Sequence, residues 1–401
     1  MSRIQVKMNI LVVSYFPLGF GGAEVSMKIL ASGLKKLGHN IVFASTGEYE
    51  GFKTYKFRRI RKVPLFFLRD FYLKNFLSDV IKKENINIIH SNGFYTATAS
   101  YKAAKKTGIK CVAHFRDYAI ACVNSTCLTR DFKEHDIDNY HLLFREYFPL
   151  RWVWEFYKWN YIKRSWKIIK KFDLIVVNSN PVKKKLDGIL RINSLYVPNP
   201  VDAEEEIKED INVEKIKREY NLGRIVVLYA TTLQFHKGSM HLLRALKDYL
   251  KKHNDVTLLF AGEGELYTRM KSFVEENKLH NVKLLGFKSN VETARLYKVS
   301  DIVVSSSLWQ EPLPRVLLDA LKYRRPCIAT AVGGNVDIID HNFNGFLVNK
   351  ESDWPKYLDI LVRDKKLREK FGNNGMTILK KRFDVNVISK NMEKNYKKLF
   401  N

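Results

Sequence analysis

Two carboxylates eight residues apart, Glu311 and Asp319, bracket Pro314 in the segment Ser305–Gly345. Glu311 falls on a loop after a short apolar strand, and Asp319 lies about one turn inside a helix that begins after the proline. A carboxylate accepts from two adjacent hydroxyls at once, which makes it the natural partner of a sugar diol. Between the two acids, the N–H groups of Arg315 and Val316 open the helix, where orphan donors and the helix dipole favour a phosphate. The segment therefore reads as a recogniser of hydroxyls, phosphate and hydroxyls, in that order. The flanking Leu317 and Leu318 indicate a partly buried helix, in which an unpaired carboxylate at 319 would be costly.

The first half offers a weaker constellation. Gly21 and Gly22 follow the first strand and let backbone N–H groups approach a ligand at a helix start. Further on, a strand runs into His114-Phe115-Arg116-Asp117. Either His114 or Arg116 could reach a ligand from that strand end, and a satisfied core histidine is an equal reading of His114. Cys122 and Cys127, with Glu134, His135, Asp136, Asp138 and His141, match no standard zinc spacing, so no metal is expected.

These residues need a scaffold of short strands. In the first half, Asn9–Ser14, Asn40–Ser45, Ile86–Ser91, Ile109–Phe115, Asp173–Ser179 and Leu195–Val197 are apolar runs separated by helical patterns such as Ala23–Leu37. The rhythm restarts with Arg224–Ala230, Val256–Gly262, Val282–Gly286, Asp301–Ser305 and Pro326–Thr330. Helices are expected near Lys237–Lys252, Glu265–Asn277, Val291–Tyr297 and Arg315–Tyr323. Strand and helix in alternation mean α/β, with parallel, doubly wound sheets. The Pro198/Pro200 stretch before an acidic run marks the boundary. The expected organisation is residues 1–196, residues 197–383, and a last helix, about Val385–Leu399, returning to the first domain. Two such domains place their ligand-bearing strand ends at a cleft.

The chain has 401 residues, 46% hydrophobic, with 69 Lys+Arg against 42 Asp+Glu. Residues 1–199 hold 34 basic and 15 acidic residues, net +19, against 35 and 27, net +8, for the remainder. A coding bias toward lysine would raise both halves, so the asymmetry points to a polyanion at the first. Two stretches mix bases with aromatics: Phe52–Phe76, and Tyr140–Lys171 with Trp152, Trp154, Trp159 and Trp166. Such a surface suits an anionic membrane, unless the aromatics are core and the charges a solvated face. No nucleic-acid recognition motif is present. Four cysteines are too few for a disulfide scaffold, and the short apolar run Ile10–Val13 is no signal peptide, so a cytoplasmic location is expected, with peripheral membrane contact.

The ordered motifs resemble the retaining GT-B glycosyltransferases of family 4, or group 1. The matching residues are Phe20–Glu24 (FGGAE), Val197–Asp202 (VPNPVD), His236–Gly238 (HKG), Ala261–Leu266 (AGEGEL) and Leu284–Phe287 (LLGF). They are followed by Glu311-x7-Asp319, Gly333-Gly334-x-x-Asp337 and Asn344-Gly345. That resemblance implies a donor site for a UDP- or GDP-sugar. It assigns the sugar hydroxyls to Glu311, the ribose to Asp319 and the diphosphate to Lys237. A cation there would stabilise the leaving group as the glycosidic bond breaks; alone, a lysine at a helix start reads more simply as a solvated residue. Arg315, Val316, Thr232, Gly262, Gly264 and Phe287 fall among the donor-binding positions. Gly21, Gly22, Arg116 and His114 fall at the acceptor side, facing a glycan or lipid-linked acceptor. The resemblance further implies front-face transfer, needing no carboxylate base, no metal and no cofactor beyond the nucleotide sugar.

Four positions depart from the family pattern, in three ways. Thr232 stands where Arg is usual, Asp319 and Asp337 each replace Glu, and Pro314 lacks an N–H. Those departures leave open a catalytically degenerate sugar- or nucleotide-binding paralogue. A basic protein binding membrane or nucleic acid would leave the donor motif idle.

Overall fold

The structure is a computed structural model that describes residues 7–19, 21–58, 66–122, 124–127, 149–204 and 212–401. The chain divides into two compact units, residues 1–200 with 385–401, and residues 201–384.

The first unit carries a seven-stranded parallel sheet in the order β3-β2-β1-β4-β5-β6-β7. Its strands are β1 (Asn9–Ser14), β2 (Asn40–Ser45), β3 (Lys53–Lys56), β4 (Ile88–Asn92), β5 (Lys110–Phe115), β6 (Leu174–Val177) and β7 (Leu195–Tyr196). The central strands are buried along nearly their whole length, as a parallel sheet covered by helices on both faces requires. Strand β3 was not expected, because its KTYK sequence has no apolar run. It is an edge strand, where charged residues deter further pairing.

The last helix, Val385–Lys397, packs against the helix Gly22–Lys36 in this first unit. Ile388, Met392 and Tyr396 join Met27, Leu30 and Leu34 in one core. Gly33 permits the approach: a Cβ there would lie 2.0 Å from Ser389 Oγ.

The second unit repeats the plan with six parallel strands in the order β10-β9-β8-β11-β12-β13. They are β8 (Ile225–Tyr229), β9 (Val256–Phe260), β10 (Val282–Leu284), β11 (Ile302–Ser305), β12 (Cys327–Thr330) and β13 (Gly345–Val348). One apolar core lies on each face of the sheet, around Leu243, Leu246 and Leu358 on one side and Leu317, Leu321 and Leu379 on the other. The unit is closed where Val201 N–H donates to Phe383 O at 2.8 Å. Strand β13 starts at Gly345 of the Asn344-Gly345 motif; that glycine lets it press against β12, since a Cβ would meet Cys327 O at 2.3 Å.

In each unit the strand order reverses once, between β1 and β4 and between β8 and β11. Such reversals leave a crevice at the carboxyl ends of the strands, where open α/β sheets hold ligands.

Candidate active site

The reversal in the second unit gathers two of the candidate groups. The loop after β8 carries Lys237 and the loop after β11 carries Glu311. The Lys237 ammonium donates to Glu311 Oε1, while Ser307 Oγ donates to Glu311 Oε2. Both charged side chains are nearly enclosed, 14% and 12% exposed. The Trp309 ring lies 5.5 Å from the ammonium and 5.3 Å from the His236 ring. Burial and the neighbouring Lys237 hold His236 below the usual imidazole range, so it adds no second positive charge.

Local backbone explains how Lys237 reaches across. Phe235–Lys237 is a turn of 3₁₀ helix, and Gly238 at φ +71° separates it from the helix Ser239–Lys252. A continuous helix from Lys237 was expected; the left-handed glycine breaks it and turns the lysine out of the helix. A Cβ at Gly238 would sit 1.9 Å from Ser306 O, so only glycine fits. The Tyr229 and Ser306 hydroxyls both donate to Lys237 O, at 3.0 and 3.2 Å.

The Glu311 loop is braced from β12. Gly334 N–H donates to Glu311 O at 2.6 Å, Gly333 N–H donates to Gln310 Oε1 at 2.9 Å, and Thr330 Oγ1 donates to Ser307 O at 2.7 Å. A Cβ at Gly333 would come within 2.4 Å of Glu311 N, and one at Gly334 within 2.0 Å of Pro312 O. The glycine pair thus supports the loop by close backbone contact.

Pro314 is the N-cap of the helix Arg315–Lys322, which leaves the Arg315 and Val316 N–H groups at its open end. The Val316 side chain is core. Arg315 Nε donates to Asp319 Oδ1 at 2.9 Å, with both groups about one-quarter exposed. The two groups expected to face different parts of a donor are therefore bonded to each other.

The remaining donor candidates divide by accessibility. Thr232 and Gly264 are exposed and Gly262 half-buried, on loops after β8 and β9. Leu233 O lies where a Cβ at Gly264 would clash, and Thr231 O where one at Gly262 would. Phe287, after β10, is 71% exposed.

The reversal in the first unit is organised around Arg116, only 6% exposed. Its Nε donates to Asn92 Oδ1 at 3.0 Å, Nη1 donates to Asn199 Oδ1, and Nη2 lies 3.2 Å from His114 Nδ1. His114 is wholly buried, so it offers a ligand no surface and serves as a prop for the guanidinium. Burial, the Arg116 charge and His90 keep it neutral, well below the ordinary range. His90 is pushed down to about 3 and contacts the Tyr396 hydroxyl. Arg116 itself falls to about 10, chiefly through burial.

Gly21 is the extended N-cap of the helix Gly22–Lys36, and Gly22 its first residue. One further residue belongs here: Glu24, in the first turn of that helix and 6% exposed. Burial raises its carboxyl to about 7, opposed by its own backbone N–H and by Arg116. It lies within the FGGAE motif, yet nothing in that motif marks it as buried; Phe20 lies outside the described residues.

Cys122 and Cys127 form a disulfide, which disposes of them as metal ligands. Glu134, His135, Asp136, Asp138 and His141 lie outside the described residues. Among the described residues no group of three or more His, Cys, Asp or Glu is placed to hold a metal.

Comparison with known proteins connects the two units to one family. The model of glycosyl transferases group 1 matches residues 210–377, and that of Glycosyltransferase Family 4 matches residues 20–205. Spore coat protein SA of Bacillus subtilis is 29% identical over 196 residues, covering 46% of this chain and 52% of its own. The chain spans about half the length of several such curated relatives. The UDP-Gal:alpha-D-GlcNAc-diphosphoundecaprenol alpha-1,3-galactosyltransferase of Escherichia coli is 26% identical, covering 72% of this chain and 68% of its own. Among solved structures, Anabaena Alr3699/HepE in complex with UDP-glucose superposes with a TM-score of 0.74 at 17% identity, covering 98% of this chain and 100% of its own. That likeness bears out the expected fold, GT-B with two doubly wound sheets.

Proposed function

The chain belongs to the group 1 and family 4 glycosyltransferases, and from that premise we propose that it moves a sugar from a UDP- or GDP-linked donor to a hydroxyl of a glycan or lipid-linked acceptor. The observation that carries this reading is the Lys237–Glu311–Ser307 cluster at the strand reversal of the second unit. When the donor enters, its diphosphate takes over the Lys237 ammonium and its sugar hydroxyls take over Glu311. Each charge then exchanges one partner for another, and neither is left buried alone.

Transfer breaks the bond from the anomeric carbon to the diphosphate oxygen and forms one to the acceptor oxygen on the same face, retaining configuration. The acceptor's proton passes to the departing phosphate, and nucleoside diphosphate leaves. Lys237 meets the negative charge that builds on that phosphate, where a fixed cation acts most strongly on the transition state. The reaction so drawn takes its cationic help from the protein and calls for no metal. Asp319 holds the ribose once Arg315 releases it, and Arg315 then turns its charge to the phosphate in place of the arginine absent at Thr232. In the first unit, Arg116 and Glu24 serve the acceptor side, with His114 positioning Arg116. The basic first unit keeps the enzyme at the inner face of an anionic membrane.

The bond between Arg315 and Asp319 favours a second reading, a paralogue that binds nucleotide sugar without turning it over. Screening UDP- and GDP-sugars by thermal shift, followed by assay of released nucleoside diphosphate, separates the two. Stabilisation with release supports the enzyme, stabilisation without release supports the paralogue, and no stabilisation by any nucleotide sugar refutes both.

A further inference from the structure

Two helices of the first unit present an apolar face that the sheet does not use. In the helix Phe66–Lys83, Phe67, Leu68 and Phe71 are exposed, Phe71 by 60%; in the helix Pro149–Ile169, Val153, Trp154 and Phe156 are exposed, Val153 by 74%. Other aromatics from the same stretches are inside: Phe57 and Tyr161 are buried. The aromatic content of these stretches is thus split, part core and part surface.

The two sets belong to one surface because the helices are locked together. Phe66 lies 5.6 Å from the Trp154 ring, 5.4 Å from Tyr157 and 4.5 Å from Tyr161. Beneath these rings, Arg69 Nη2 donates to the Tyr161 hydroxyl at 2.8 Å, and that hydroxyl donates to Asp70 Oδ2 at 2.9 Å. A buried ion pair, Arg69 with Asp70, fixes the junction.

Charge is sorted between inside and outside. Of the acids on these helices, Asp70 and Glu155 are buried, and Asp79 alone is exposed. Apart from the buried Arg69, bases stand at the outer side: Arg164 lies over the Phe67 ring, Lys74 over Phe71, and Lys167 is exposed one turn on. Cation–π contacts hold ammonium and guanidinium groups beside exposed rings, an arrangement with one apolar and one cationic end. An apolar patch this large with a basic border belongs at an interface. A protein partner would need acidic groups around an apolar pocket. A bilayer containing anionic lipid meets both demands with one surface, acyl chains for the rings and headgroup phosphates for the bases. Among the described residues no helix is long and apolar enough to cross a membrane, so the contact is interfacial.

We infer that Phe67, Leu68, Phe71, Val153, Trp154 and Phe156 form the membrane-seating surface of this protein, which inserts into the headgroup layer of anionic bilayers. This deepens the proposed function by naming the surface through which a lipid-linked acceptor is met, and it rests on that reading only for the acceptor, not for the binding.

The test is co-sedimentation of the full chain with vesicles of phosphatidylcholine alone or mixed with phosphatidylglycerol, at low and high salt. The wild type should bind the mixed vesicles and leave the neutral ones largely unbound. Phe67→Ser/Phe71→Ser/Trp154→Ser should weaken binding by about tenfold or more at either salt, since three inserted side chains are lost. Arg164→Gln/Lys167→Gln should weaken it at low salt and leave little difference at high salt, where charge is screened. The second variant keeps every apolar side chain, so it decides the matter if the first misfolds. Thermal shift with UDP, run on the same proteins, should be unchanged by either variant. A failure of nucleotide binding would therefore strike the transferase reading and leave the vesicle result standing. Failure of the wild type to sediment with anionic vesicles overturns the inference. So does serine-variant binding equal to wild type, or a wild-type dimer that the serine variant converts to monomer without change in vesicle binding, which would assign the face to a second copy.

Discussion

At the strand reversal between β8 and β11, an ammonium and a carboxylate, both mostly enclosed, are bonded directly. At the reversal between β1 and β4, a guanidinium still more enclosed is bonded to two amides and an imidazole. The same topology thus treats buried charge in two ways. In the second unit each charge is neutralised by the other, and under the proposed function a ligand displaces both partners, phosphate for glutamate at one end and hydroxyls for lysine at the other. In the first unit the positive charge is fixed by neutral groups that have nothing to exchange. The adjustable element there is Glu24, whose carboxyl titrates near neutrality. A charge-exchanging site suits a ligand that arrives and leaves with a diphosphate; a fixed polar frame suits orientation of an uncharged hydroxyl.

Removing either member of the exchanging pair has the largest expected effect. Lys237→Ala and Glu311→Ala should each lower turnover by about a hundred- to a thousandfold, the range for a lost transition-state contact. Each should also cost about 3 kcal/mol in urea unfolding, because the partner is left buried alone. Lys237→Met/Glu311→Leu should regain most of that stability while staying inactive. If the double variant is no more stable than the singles, the pair is not an isolated exchange couple.

Gly238→Ala sharpens the geometric side of the same comparison. The added methyl meets Ser306 O in a left-handed backbone, and a loss of about 2 to 3 kcal/mol is expected, with turnover falling because Lys237 is displaced. Unchanged activity would show that the lysine does not need this turn.

For the fixed frame, Arg116→Gln should cost about 2 kcal/mol by leaving Asn92 and Asn199 short of donors. It should reduce transfer to an acceptor while leaving the donor's thermal shift intact. Loss of the donor shift would join the two sites into one and dissolve the contrast.

The smallest effect is a pH dependence. The folded Glu24 carboxyl, at about 7, binds a proton that the unfolded chain releases near its ordinary value of 4.5. The associated stability is present below pH 4.5 and is lost as pH rises to 7. Relative to Glu24→Gln, the wild type should therefore lose on the order of 2 kcal/mol across that window. The lowered His90 and His114 act in the opposite sense, but both proteins share them, so the difference isolates Glu24. A flat difference would remove Glu24 as the adjustable charge.

Much of this frame was legible in the residues. Apolar runs such as IVVLY, bounded by turn residues, read as buried strands. Glu311 stands on a loop as its sequence indicates, whereas Lys237 reads as the start of a helix that Gly238 in fact breaks. Their bond was not legible, because it joins residues 74 apart through loops whose shape depends on Gly238, Gly333 and Gly334. The Arg315–Asp319 bond spans one helical turn and was visible as an i,i+4 pair, but the reading of both groups as ligand contacts passed over it. Glu24 escaped notice because its burial is set by the environment of Arg116, Asp117 and Tyr49, which come from other elements. Strands β3 and β13 were missed because one is a polar edge and the other starts at a turn glycine. Which aromatics of the basic stretches face outward depends on helix packing, which composition does not encode.

The most direct test is calorimetric titration of UDP, and of the nucleotide sugar that stabilises the chain most, into four proteins: wild type, Lys237→Ala, Glu311→Ala and Arg116→Gln. The donor-site assignment predicts that Lys237→Ala weakens both ligands at least about tenfold. It predicts that Glu311→Ala weakens the nucleotide sugar more than UDP, and that Arg116→Gln binds both like the wild type. Wild-type affinity for the nucleotide sugar in both Lys237→Ala and Glu311→Ala would contradict it.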